Sequence, residues 1–217
     1  MKLYNRTKCP DELLESIIKK AAKHLRVKTT GKGYTSHYLG GGTVTWPPLT
    51  VIVNSSRKIS GVAYEAGEYL LVKELNRGLR LQTGNPVIVI RMPDREPVSW
   101  WYTDARIDAN KRLSDNEKAT EKQRMAKWRI DYPLNRAEYF IDVMIHELAH
   151  VKQYQEKAKF KEHRTASGRQ IKWAARPVEI DAEDRKDKIL ERTNWDDAIL
   201  ELAEYLESTW NRKANIN

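Results

Sequence analysis

His146-Glu147-Leu148-Ala149-His150 places two imidazoles four residues apart, with a carboxylate directly after the first. On a helix, positions four apart share one face, with Cβ atoms about 5–6 Å apart, so both rings can aim at one metal ion. Zn²⁺ takes such nitrogens at about 2.0–2.1 Å and, in catalytic sites, keeps one position for water. Glu147, about 100° round the helix from His146, then stands where it can take a proton from a water that the metal acidifies. A pentad of this kind also arises by accident. The segment around it argues for a site: Phe140, Ile141, Val143, Met144, Ile145, Leu148, Ala149 and Val151 surround the polar groups with apolar ones. A helix apolar on so many sides is a buried one. Buried polar groups need partners, and a metal supplies them.

Two histidines leave a catalytic zinc site one protein ligand short. Glu156 is a poor third, because a helix continuing through Gln153 carries it about 9 Å along the axis beyond His150. The better candidates lie in RPVEIDAEDR, residues 176–185. Glu179 and Glu183 are again four apart, so one can bind the metal while the other orients a histidine. Glu179, in a first turn opened by Pro177, is the expected ligand; Glu183 is the runner-up, and Asp181 would serve only in another register. Asp142, His146, His150 and Tyr154 form an i, i+4 series. Asp142 is expected to accept a hydrogen bond from His146. Tyr154 and His163 are candidates to stabilise an oxyanion. Arg176 would dock a substrate carboxylate or pair with Glu179.

HELAH followed by Glu179-Ile180-Asp181-Ala182-Glu183 resembles the zincin metallopeptidases of the gluzincin type. The resemblance implies zinc on His146, His150 and Glu179, general-base work by Glu147, and contact of Glu183 with the first histidine. Glu183 stands where aspartate is more usual. It also implies a protein or peptide substrate lying as an extra strand along a small sheet. HELAHVKQY with RPVEIDAE is similar to small metallopeptidases of phages and mobile elements. The matching part covers about residues 138–185. A strand, then SSRKISGVA at 55–63, then the pentad helix also resembles SprT-like proteases, which act on proteins attached to DNA. In those the third ligand is often a histidine soon after the pentad, which would point to His163.

The elements that must position these residues are legible in outline. Residues 10–27 carry apolar positions at helical spacing, and the glycines of 29–48 mark a loop or hairpin. LTVIV (49–53), PVIVIRM (86–92) and VSWWYT (98–103) read as strands, and GEYLLVKEL (67–75) as a strand or a helix. PVIVIRM or VSWWYT is expected to supply the sheet edge, with Trp100 and Trp101 lining the cleft. Residues 104–129 are polar and read as a helix or long excursion that Pro133 ends. Helices are expected at about Asn135–Lys159, Arg176–Glu191 and Asn194–Arg212. This order reads as an α+β fold, zincin-like, in one domain over 1–217. Residues 1–103 would form helix and sheet, 104–134 a polar excursion, and 135–217 the helical zinc-binding half.

A formal charge of +9 on 217 residues favours acidic partners, nucleic acid among them. RKISG, NKRL, EKQRMAKWR and KAKFKEHR are the stretches expected to track phosphates, although acids interleave them. Cys9 stands alone, so no internal disulfide forms. No apolar run approaches the length of a membrane span and no secretory signal opens the chain, so a cytoplasmic protein is expected.

Overall fold

The computed structural model describes residues 1–38, 42–55, 61–64, 69–71, 80–82, 84–93, 104–158, 172 and 175–214. Among them are five helices and a small mixed sheet, an α+β arrangement. The chain divides into two compact units. Unit 1 comprises Met1–Met92 and Ile141–Trp195, and unit 2 comprises Pro93–Phe140 and Asp196–Asn217.

Unit 1 begins with β1 (Lys2–Asn5), a strand that no periodicity announces, followed by α1 (Asp11–His24). Leu13, Leu14, Ile17, Ile18, Ala21 and Ala22 are all buried, so the apolar face read from the sequence is the packed one. Fully burying each of the isoleucines and leucines contributes about 1.5–3 kcal/mol. The helix closes with Arg26 in the left-handed region at φ 56°. Val27 N–H then reaches Ala22 C=O at 2.8 Å and Arg26 N–H reaches Lys23 C=O at 3.1 Å. This is a Schellman cap with arginine where glycine is usual.

A hairpin of β2 (Tyr34–Tyr38) and β3 (Gly42–Trp46) follows, then β4 (Thr50–Asn54), β5 (Gly61–Tyr64), the pair β6 (Tyr69–Leu71) and β7 (Arg80–Gln82), and β8 (Val87–Arg91). The main sheet has the order β1-β4-β8-β5. β1, β4 and β8 are parallel, whereas β5 runs antiparallel to β8 with Gly61 opposite Ile90 and Ala63 opposite Ile88. Successive strand residues face opposite sides. Because Thr50–Val53 and Val87–Ile90 are buried without alternation, both faces of the sheet are covered. PVIVIRM is therefore a central strand and not the expected edge; its unbroken apolar run is what burial on two faces requires. The edges among the described residues are β1 and β5. VSWWYT, with Trp100 and Trp101, lies outside the described residues.

α2 (Asp104–Asp108) precedes α3 (Asp115–Glu156), a helix of 42 residues. α3 runs through Pro133, so the expected break there does not occur. An internal proline removes a hydrogen bond and costs about 3 kcal/mol. Here the ring is buried, and Met125, Ala137 and Phe140 are buried on the same helix. α3 ends with Lys157 at φ 53°, again a Schellman cap, Ala158 N–H reaching Gln153 C=O at 3.0 Å. α4 (Pro177–Arg192) and α5 (Asp196–Ala214) complete the chain. In unit 2, Trp128, Tyr132 and Trp210 form an aromatic ladder with centroids 4.7 and 5.5 Å apart. No helix among the described residues is long and apolar enough to cross a membrane.

Candidate metal centre

The pentad lies on the part of α3 that belongs to unit 1, where Met144, Ile145, Leu148, Ala149 and Val151 anchor it in the core. Its polar side chains stay at the margin: His146, Glu147 and His150 are 9%, 7% and 7% exposed. Facing them is the first turn of α4. Pro177 occupies the first helical position, where a missing N–H costs nothing. Glu179 follows one turn in from the Arg176 N-cap, with its side chain 11% exposed.

Three ligand atoms converge. His146 Nε2 and His150 Nε2 are 3.1 Å apart, and Glu179 Oε2 lies 3.4 Å from the first and 3.2 Å from the second. Their hydrogen-bonding partners show what these atoms are. His150 Nδ1 meets Gln153 Oε1 at 2.8 Å. The amide orientation is fixed, because Gln153 Nε2 donates to Val178 C=O at 2.9 Å and to Asp181 Oδ2 at 2.8 Å, both pure acceptors. His150 therefore carries its proton on Nδ1. His146 Nδ1 meets Glu183 Oε2 at 3.0 Å and must donate likewise. Both Nε2 atoms are then lone pairs, and the third atom is a carboxylate oxygen. Three acceptors at 3.1–3.4 Å with no donor among them repel unless a cation or proton stands between them. Ligands about 2.05 Å from a tetrahedral Zn²⁺ are about 3.3 Å apart. The group His146, His150 and Glu179 could thus hold a metal ion.

Glu183 is held in its charged form. Burial raises its carboxyl, but Lys186 and His146 outweigh that and leave it below the usual range. Lys186, 8% exposed, bonds to Glu183 and to Asp142 Oδ1 at 2.9 Å. Burial pulls the ammonium down; Asp142 and Glu183 outweigh it and raise it. Asp142, expected on His146, is instead one link further out, because Glu183 already occupies Nδ1 and Lys186 takes the aspartate.

Glu147 has the opposite environment. Burial and then the charge of Glu179 push its carboxyl up to about 8, partly offset by a hydrogen bond from Ala63 N–H on β5. β5 approaches closely here because of Gly61. A Cβ on Gly61 would stand 2.6 Å from Val143 Cγ1 and 2.7 Å from Glu147 Oε1, so a larger residue there would have to displace those side chains or the strand.

Of the remaining expected residues, Tyr154 stacks beyond His150, with ring centroids 6.5 Å apart. His163 lies outside the described residues. Arg176 does not pair with Glu179; its Nε is buried with no hydrogen-bond partner among the described residues. Glu156 binds Lys152 and Arg185 rather than the histidines. Sequence reasoning missed Gln153, Lys186, Gly61 and Ala63. Gln153, three residues after His150, was within reach of a pattern argument, whereas the other three depend on contacts distant in sequence. No family model, curated protein or solved structure matches this chain.

Proposed function

We propose that the chain is a zinc-dependent metallopeptidase of zincin-like fold. The observation that supports this most is the convergence of His146 Nε2, His150 Nε2 and Glu179 Oε2 beside the buried carboxylate of Glu147. Bound zinc would acidify a water and polarise a carbonyl oxygen. Glu147 would accept the proton of that water and pass it to the leaving amine. Gln153 and Glu183 hold the two imidazoles in the tautomer that presents Nε2. Two histidines and one carboxylate also suit Fe(II). The general base one residue from the first ligand is what favours hydrolysis.

β5 suits the substrate side. Ala63 N–H turns to Glu147 and so is not part of the ladder with β8. By the alternation of a strand, Gly61 shares that outward edge. A peptide added there as a further strand would pass its backbone beside Glu147.

The test combines a peptide-library cleavage assay with metal analysis. Wild type should carry one zinc and cleave. Glu147→Gln should retain the metal and lose activity by at least about 10³-fold. Glu179→Ala should lose the metal. Full activity in Glu147→Gln, or full metal in Glu179→Ala, would overturn the assignment.

A further inference from the structure

The net positive charge is not shared between the units. Of 39 basic and 30 acidic residues, unit 1 holds 27 and 16, and unit 2 holds 12 and 14. Unit 2, which contains the expected phosphate-tracking stretch EKQRMAKWR, is therefore slightly acidic. Four of its cations are also engaged: Lys118 with Asp115 (3.7 Å), Lys122 with Asp108 (2.7 Å), Arg124 with Glu121 (2.6 Å) and Arg129 with Asp104 (3.9 Å).

In unit 1 the ends of α1 and α3 are tied together. Lys152 Nζ donates to Arg26 C=O at 3.1 Å. Gln155 accepts from Lys28 N–H at 2.7 Å and donates to Lys28 C=O at 3.0 Å. Gln155 also reaches Pro48 C=O at 3.4 Å, and a Cβ on Gly31 would stand 3.4 Å from Pro48 Cγ. The tie brings Lys23, Arg26, Lys28, Lys32 and Lys157 to one end of the unit from separate parts of the chain. All five are exposed. None of their side chains has an ion-pair or hydrogen-bond partner among the described residues. Glu156, the nearest acid in sequence to Lys157, is engaged by Lys152 and Arg185.

Local stability does not account for two of these side chains. Arg26 and Lys157 occupy left-handed positions that glycine fills without strain. The strain on a larger residue exceeds what a helix C-terminus returns to an exposed cation. Cations held at that cost, and left without an acid, point to a partner that supplies the negative charge.

We propose that this end of unit 1 binds the phosphate backbone of nucleic acid without sequence preference. Five cations drawn together around two helix ends match a chain of regularly spaced charges. Tyr34, 55% exposed and two residues after Lys32, offers a ring on which a base can stack. An anionic membrane fits less well, because Tyr34 is the one large apolar side chain exposed in these segments.

The experiment titrates the full-length protein into a labelled 20-base-pair duplex DNA, with and without a chelator. Wild type should bind at 50 mM salt. Its affinity should fall a few hundredfold by 200 mM, a slope of about −4 at 0.9 per phosphate. The variant Lys23→Gln, Arg26→Gly, Lys28→Gln, Lys157→Gly removes four charges while leaving both caps with the residue they prefer. It should bind at least 100-fold more weakly at 50 mM salt, with a shallower slope. Lys118→Gln with Lys122→Gln should bind like wild type, and the chelator should change nothing, which separates this surface from the metal centre. No binding by wild type at 50 mM salt overturns the proposal. So does undiminished binding by the fourfold variant, or equally tight binding to polyglutamate or to phosphatidylserine vesicles.

Discussion

Glu147 is the residue whose surroundings most oppose its own charge, and the direction of that opposition is measurable. Without metal its carboxyl stands at about 8, above the ordinary 4.5, because burial and Glu179 both disfavour the anion. The folded state then keeps a proton that the unfolded state has released. The associated stability is fully present below pH 4.5 and is lost as the pH rises through about 8. Calorimetry in chelator should show wild type and Glu147→Gln melting close together at pH 5. At pH 8.5 the glutamine variant, which has no charge to bury, should be more stable by a few kcal/mol. Parallel pH dependences for the two proteins would mean that Glu147 ionises freely in the fold. Gln153 makes a second residue-scale case. It is 1% exposed and satisfies His150, Val178 and Asp181 at once. Gln153→Leu leaves the His150 ring N–H unpaired, at about 1–3 kcal/mol. Zinc affinity should fall about 10–100-fold by competition titration, and unchanged affinity would leave Gln153 a packing residue only.

Elements matter here through two approaches, α4 to α3 and β5 to α3. The first was legible in the sequence, because Pro177 announces a helix start and Glu179 and Glu183 share a face. The second was not. β5 is four residues long, and nothing local in Gly61–Tyr64 tells that its edge meets Glu147. The sheet order β1-β4-β8-β5 is likewise set by pairing between distant segments, which periodicity does not encode. PVIVIRM reads as a strand from its β-branched run, yet the same run, buried on both faces, excludes it from the edge. Pro133 misled for the converse reason, a local breaker outweighed by packing. The β5 contact carries its own prediction. Gly61→Val should displace Glu147, since even a Cβ would stand 2.7 Å from Oε1. A shift of about 1 Å can cost roughly 100-fold in rate. The proposed peptidase activity should fall by that order while metal content, measured by metal analysis, stays at wild-type level. Retained activity would show that β5 yields and does not position the base.

At the scale of the whole molecule, all the candidate ligands and their supports belong to unit 1: Asp142, His146, His150 and Gln153 on α3, Glu179, Glu183 and Lys186 on α4, and Ala63 on β5. A ligand that binds only the folded form stabilises whatever unfolds with its site, by about 4 kcal/mol at a thousandfold excess over its dissociation constant. Segments that open independently of the site gain nothing. α3 makes this a discriminating measurement, because its residues 115–140 belong to unit 2 and 141–156 to unit 1. Hydrogen exchange with and without zinc should therefore show added protection in β4, β8, α4 and residues 141–156. α5 and residues 115–130 should be unchanged. Equal gains throughout the chain would make the two units one cooperative body. A gain absent even from 141–156 and α4 would remove the metal from the centre altogether, since no ion held by His146, His150 and Glu179 could leave both helices indifferent to it.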